Sequence, residues 1–323
     1  MTTKFTGVLL ATVLLISAAG LTSCSRPGAS DDGDAGGPIR IAAGSDPSYT
    51  PVYVAADQGF FEEQGVDVDY FTTEGGPTMT QAVTAGEAQM AVQSDTTATS
   101  LMANDDSLRA LGVFESSDTY IKTVFGKGIE SPKELKKMAT LPGLFTLLTV
   151  RYLEDEGIDP STVKMVDAAA PDIPTMLERG DVDGTVIFEP WATRAAKESG
   201  GSVVGDISDY GKTYTQWLVT TDSWLNANEE DAAGVLAALK QADEFIKENP
   251  DKAAEITEKA IKTPTDQTMT IMKELEFEVR DLEPKDVDEM KDAAEFFVEQ
   301  DDISKVPDLD EQMLLGWWSK HRP

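Results

Sequence analysis

One Cys and one His in 323 residues exclude a disulfide within the chain and a Cys/His zinc cluster, and they leave little room for chemistry built on either side chain. Bases are also scarce. Lys and Arg number 27 against 58 Asp and Glu, a formal charge of −31 that repels phosphate backbones and acidic lipid surfaces, so no nucleic acid is expected as a partner. The apolar stretch from Val8 to Leu21 is 14 residues long, short of the roughly 20 a membrane-spanning helix needs. There is no G-x-S-x-G elbow, no H-E-x-x-H and no Walker loop, so no catalysis, metal or cofactor is expected. What is present is ordinary globular material: 41% hydrophobic and 26% charged residues, with length for two α/β domains of about 100–200 residues each.

The first residues read as an export signal: Lys4, the apolar stretch, then small residues running into Cys24. Residues 1–23 are expected to be a signal peptide. Leu21-Thr22-Ser23-Cys24 resembles the lipobox of bacterial lipoproteins, which implies a lipidated Cys24 as first residue of the mature chain. Residues 24–38 are rich in Gly, Asp and Ser without apolar periodicity and are expected to be a flexible tether. A body tethered this way would sit on the outer face of the bacterial cytoplasmic membrane.

From residue 39 short apolar runs alternate with helical stretches, the pattern of βαβ units and an α/β fold. Strands are predicted at 39–43, 66–71, 89–93, 108–114, 121–125, 163–166, 182–188, 202–204 and 216–220. In the last third Ala232, Val235, Leu236, Leu239, Ala242, Phe245 and Ile246 recur at helical spacing. Further helices are predicted at 251–261, 266–278, 285–299 and 308–320, with prolines as punctuation. Formal charge is −11 over residues 39–120 and −15 over 207–323, but only −4 over 121–206. That division fits a central segment inserted as a second lobe.

Pro51-Val52-Tyr53-Val54-Ala55, Gly59-Phe60-Phe61-Glu62-Glu63-Gln64-Gly65-Val66-Asp67-Val68, Ser131-Pro132-Lys133-Glu134-Leu135-Lys136 and Gly180-Asp181-Val182-Asp183-Gly184 with Glu189-Pro190 carry a resemblance. They are similar to the solute-binding lipoproteins of nitrate-, sulfonate- and taurine-type ABC importers, a group that includes binders of thiamine-pyrimidine precursors. The resemblance implies a two-lobe periplasmic-binding-protein type II fold with a hinge, an interlobe cleft and a helical C-terminal region. Lobe 1 would comprise 39–120 and 207–323, and lobe 2 residues 121–206. It also implies a monomer that captures a small solute and delivers it to ABC transporter permease subunits. Pyrimidine-forming members of the group carry an active-site His and a Cys-rich motif that this chain lacks. Residues 136–145 depart from the family wording with apolar side chains.

Ligands of open α/β sheets gather beyond the carboxyl ends of strands. Following each predicted strand past its end gives the candidate ligand residues Asp46, Tyr49, Thr50, Gly76, Thr78, Ser94, Asp95, Thr96, Phe145, Thr146, Glu189 and Trp191, with Trp217 near the return crossing. Helices starting near Thr78, Thr96 and Thr146 would aim unpaired N–H groups at an acid group. The carboxylates Asp46, Glu74, Asp95 and Glu189 would suit a ligand that brings a cation. An aminosulfonate meets both conditions; an aminopyrimidine could use a carboxylate and stack on Trp191 or Tyr49, and an aromatic acid is a further alternative. The rival from another class is a surface protein that binds a macromolecule through its acidic C-terminal helices.

Overall fold

The computed structural model describes residues 37–73 and 76–323; the expected signal peptide, Cys24, the tether as far as residue 36, and Glu74 lie outside them. The described residues form one compact unit built on two sheets. Strands β1 (Ile39–Ala43), β2 (Val68–Thr72), β3 (Met90–Ser94), β4 (Leu108–Ser117), β5 (Ile121–Phe125), β6 (Lys137–Thr140), β7 (Lys164–Asp167), β8 (Gly184–Phe188), β9 (Ser202–Asp206), β10 (Tyr214–Thr221) and β11 (Glu276–Arg280) follow in chain order. The six-stranded sheet runs β11-β4-β10-β3-β1-β2 and the five-stranded sheet β7-β6-β8-β5-β9.

Each sheet is parallel where helices return the chain to the same edge and antiparallel where the chain changes sheets. β1 lies parallel to β2 and β3, while β10 runs antiparallel to β3 and β4. β6 is parallel to β7 and β8, while β5 is antiparallel to β8 and β9. The chain leaves the first sheet after Ser117 and returns to it at Tyr214. Two short crossovers, residues 118–120 and 207–213, therefore join the sheets.

The central strands of the first sheet are buried on both faces, as parallel strands under helices must be. All five residues of β3 are buried, as are Thr215 to Thr220 of β10. Helix Glu229–Glu248 lays an Ala- and Leu-rich face on helix Thr50–Gln58 and on β4 and β11. Gly234 lets it approach the chain before β2, where an added Cβ would sit 2.8 Å from Val66 Cγ1. Phe61 is fully buried and Phe60 meets Phe245 edge-on at 6.0 Å, so this pair packs helices together.

Three stretches differ from the sequence expectation. Residues 266–278 divide into helix Thr265–Met272 and strand β11, whose alternating exposed and buried residues pair with β4. β6 forms at Lys137–Thr140, where Met138, Ala139 and Thr140 are buried. The terminal helix is broken into Leu309–Gln312 and Trp317–His321, with Gly316 at φ 65° between them.

Candidate functional site

A cavity of about 480 Å³ opens between the two sheets. From the six-stranded side it takes Asp46 and Tyr49 beyond β1, Ser94, Thr96 and Thr97 beyond β3, and Tyr214 at the start of β10. From the five-stranded side come Ile121, the Pro142–Phe145 turn beyond β6, and Phe188 at the end of β8. Tyr120, in the first crossover, stands between the two sets. Phe297, Asp302 and Ile303 close one side from the C-terminal helical region.

The floor is aromatic and continuous. Tyr214 and Tyr120 are 5.9 Å apart, Tyr120 and Phe188 6.0 Å, and Phe188 and Phe145 5.5 Å between ring centroids. Tyr120 belongs to the first crossover and Tyr214 directly follows the second as the first residue of β10, so the floor lies beside the segments about which the sheets could rotate. Tyr49 lies against Gly44, where an added Cβ would stand 2.1 Å from its Cε2; only a residue without a side chain admits the ring there.

Beside the rings runs a polar chain. Ser48 donates to Asp46 Oδ1 through both its backbone N–H (2.9 Å) and its hydroxyl (2.6 Å). Gln216 Nε2 donates to Ser48 Oγ (3.2 Å) and to Tyr214 Oη (2.6 Å). Asp46 is partly exposed, yet burial of its carboxyl pushes its pKa up, against the pull of the two Ser48 hydrogen bonds. Behind the floor Glu115 is fully buried, paired in register with Gln216. Neither of its carboxyl oxygens has a partner, nor has Gln216 Oε1. Burial, then the negative fields of Asp46 and Asp95, hold the Glu115 carboxyl well above the usual carboxylate range.

Two helix starts face the cavity and differ in what occupies them. At helix Asp95–Met102 the chain supplies its own anion: Asp95 Oδ1 accepts from Thr96 N–H at 2.5 Å, and Oδ2 from the Thr215 backbone (3.0 Å) and hydroxyl (2.8 Å). Burial pushes the Asp95 pKa up to about 6 in spite of these bonds. Helix Leu144–Asp155 begins after Gly143 at φ 80° with no side-chain cap, and its first residues Leu144 and Phe145 line the cavity. Its first amides are free for a ligand's acceptor. Among the described lining residues Asp46 and Asp302 are the only charged ones, and none is Lys, Arg or His.

Of the residues expected from sequence, Asp46, Tyr49, Ser94, Thr96 and Phe145 meet at this cavity. The others are placed elsewhere, each for a local reason. Thr50 is buried, donating to Pro47 O and bonded to Thr257 Oγ1 at 3.0 Å. Gly76 opens helix Gly76–Thr84, on which Thr78 is exposed. Asp95 ties β3 to β10 as described. The Thr146 hydroxyl turns back to Leu141 O (3.1 Å) and borders a separate groove with Arg151. Glu189 accepts from the Thr193 backbone and hydroxyl, one turn into the next helix. Trp191 opens helix Trp191–Ser199 with its ring 5.3 Å from the Arg194 guanidinium, packed on the smaller core of the second sheet. Trp217 is wholly buried, its indole N–H donating to Thr215 Oγ1 at 3.0 Å.

Phe188, at the end of β8, and Tyr214, which the sequence places with Trp217 near the return crossing, line the cavity where Trp191 and Trp217 do not. Tyr120, Phe297 and Asp302 carried no signal of their own. Phe297 reads as one more apolar position on a helix, and only the packing of helix Pro284–Glu299 against helix Asp95–Met102 brings it to the site.

Comparison with known proteins bears on this geometry. A family model described as NMT1/THI5 like matches residues 46–253. The chain is 27% identical over 234 residues to a putative binding protein, YtlA, of Bacillus subtilis (strain 168), covering 68% of each chain. It is 25% identical over 221 residues to the taurine-binding periplasmic protein of Escherichia coli (strain K12), covering 66% of this chain and 68% of the other. Among solved structures, the periplasmic aliphatic sulphonate binding protein SsuA from Escherichia coli superposes with a TM-score of 0.77 at 17% identity, over 85% of this chain and 91% of that one. The fold is that of the periplasmic binding proteins.

Proposed function

The chain belongs to the NMT1/THI5-like family, and on that premise we propose that it is the extracytoplasmic solute-binding component of an ABC importer. It captures a small organic solute between its two sheets and presents the closed form to permease subunits. The observation that carries this reading is the cavity itself, walled by strand ends of both sheets with Tyr120 of the first crossover in its floor. A ligand shifts a conformational equilibrium only by its differential affinity for the two states, and a solute touching both walls has that property. Lobe 1 would be residues 39–120 with 207–323 and lobe 2 residues 121–206. Cys24 would anchor a monomer to the membrane that holds the permease. The role is binding, not catalysis.

For the solute, an aminosulfonate-like molecule fits best. Its ammonium would face Asp46 and its acid group the uncapped amides of helix Leu144–Asp155, and the relative named for taurine supports the class. The row of four rings favours an aminopyrimidine as the second reading, since flat heterocycles stack where aliphatic chains do not. A thermal-shift screen of aminosulfonates, alkanesulfonates, aminopyrimidines and aromatic acids tests the role. A solute at about 100 times its Kd stabilises by roughly 2.7 kcal/mol, which raises Tm by several degrees. A protein of this role responds strongly to one chemical class; no response to any small molecule refutes it and favours a macromolecular partner.

A further inference from the structure

We infer that the solute is selected by a cationic amine seated on Asp46, and that sulfonates or carboxylates lacking an amine are rejected. This rests on the solute-binding reading above and sharpens it to a charge class. A site for a simple anion in a protein of this charge would need a base or a free helix end with no carboxylate near it. The described lining instead offers Asp46 at the floor and no basic side chain, and the helix end at Asp95 is already filled by its own carboxylate. An amine-free anion bound at the remaining helix start would share the cavity with the Asp46 carboxylate, at a cost in repulsion that grows as the sheets close on it.

Independent of the carboxylate, the surrounding groups suit a cation. The faces of Tyr49, Tyr120 and Tyr214 carry negative π-density that attracts an ammonium. Thr96, 3% exposed and lining the cavity, has a hydroxyl with no partner, and as an acceptor it could take one ammonium N–H. Behind them Glu115 is wholly buried with two unpartnered oxygens and lies outside the cavity lining, so it leaves Asp46 as the acidic group that a cation at the floor can reach. Asp302 is the other acidic lining residue, but it is exposed on the loop after helix Pro284–Glu299, where water screens it.

The test uses size-matched probes with and without an amine: 2-aminoethanesulfonate against ethanesulfonate, and benzylamine against benzoate, each titrated into the whole mature protein by calorimetry. The expected result is binding of at least one amine and no measurable binding of its amine-free twin. Asp46→Asn keeps an oxygen to accept from Ser48, so the empty variant should melt within a degree or two of the parent. It should lose about 30-fold in affinity for the amine, the scale of truncating one side of a buried charge pair, whereas Asp302→Asn should lose less than about threefold. Equal binding of an amine-free twin, an unchanged affinity in Asp46→Asn, or silence of both amines overturns the inference. If an amine-free solute from the wider screen binds tightly, the capture role survives and this selection rule falls; if no solute binds, both fall.

Discussion

Closure of the two sheets on a solute should be tuned by a salt bridge at the cavity's flank, and its removal has a calculable effect. Arg151, on helix Leu144–Asp155 beside the second sheet, donates through Nη2 to both carboxylate oxygens of Asp292 at 3.0 Å. Asp292 lies on helix Pro284–Glu299, which packs with the first sheet's helices, and Lys212 of the second crossover approaches it at 3.6 Å. Both partners are partly exposed, 27% and 49% by side chain, so the pair is worth about 0.5–1 kcal/mol rather than the larger values of buried pairs. If it exists only when the sheets are together, losing it shifts the closed-to-open ratio, and with it the apparent Kd, by about two- to fivefold. Arg151 also pairs with Glu154 on its own helix, so a single substitution would mix two effects. A double-mutant cycle of Arg151→Ala and Asp292→Ala isolates the bridge. Kd measured by calorimetry for the solute the screen selects should show a coupling of that size at low salt that shrinks at about 0.5 M salt. A coupling seen in Tm of the empty protein but absent from Kd would mean that the bridge stabilises one fixed arrangement, and the closure argument would fail.

Three further outcomes follow from the same geometry. Glu115→Gln should stabilise more at pH 8 than at pH 5: burial raises the folded pKa above the ordinary 4.5, so the native state loses stability as pH rises from that value through the folded one, at about 1.4 kcal/mol per pH unit of the shift. Equal urea midpoint changes at the two pH values would contradict this. Phe188→Ala should weaken solute binding at least about tenfold through loss of a wall ring, while Trp191→Ala should lower Tm and leave Kd within about twofold; the reverse pattern would return Trp191 to the site. Cys24→Ser should release the protein from membranes into the soluble fraction, and retention after high-salt washing would refute the lipid anchor.

How far the site could be read from sequence turns on strand parity. The end of a strand is legible from hydrophobic patterning, and β1 and β5 fall where the pattern puts them. Which of two adjacent side chains faces the cleft is a one-residue question, and a shift by one moves a side chain to the opposite face. Gln216 reaches the site and Trp217 enters the core; Phe188 lines the cavity and Glu189 folds back to cap the next helix. Residues in the turns and first helical positions just past a strand are free of that ambiguity, and Asp46, Tyr49 and Phe145 were accordingly within reach. β11 was hidden because five residues of alternation, Glu276 to Arg280, sit inside a stretch of helix-forming composition. Its pairing with β4 is a tertiary choice, of the kind that overrides local propensity.

The polar floor is expensive for the empty protein. Glu115 is buried with both oxygens unpartnered, Asp95 is held near pH 6 without a basic neighbour, and Thr96 Oγ1 and Gln216 Oε1 accept nothing. Buried polar atoms left unsatisfied each cost roughly 1–3 kcal/mol, a large share of the 5–15 kcal/mol that usually separates folded from unfolded states. A core designed for stability alone would replace these groups with apolar ones, as it does one and two strand positions away at Trp217 and Leu218. The hydrogen-bonded chain from Asp46 through Ser48 and Gln216 to Tyr214 links the cavity to this buried layer, so a donor that arrives with the ligand at Asp46 should strengthen it. On that account empty and loaded protein should differ most in local stability at β4, β10 and the start of helix Asp95–Met102, the elements that carry these groups. Amide exchange there should slow on binding by a larger factor than in β6 and β7. Uniform slowing across both sheets would instead mean that the solute stabilises the fold as a whole and leaves the cost of the floor unexplained.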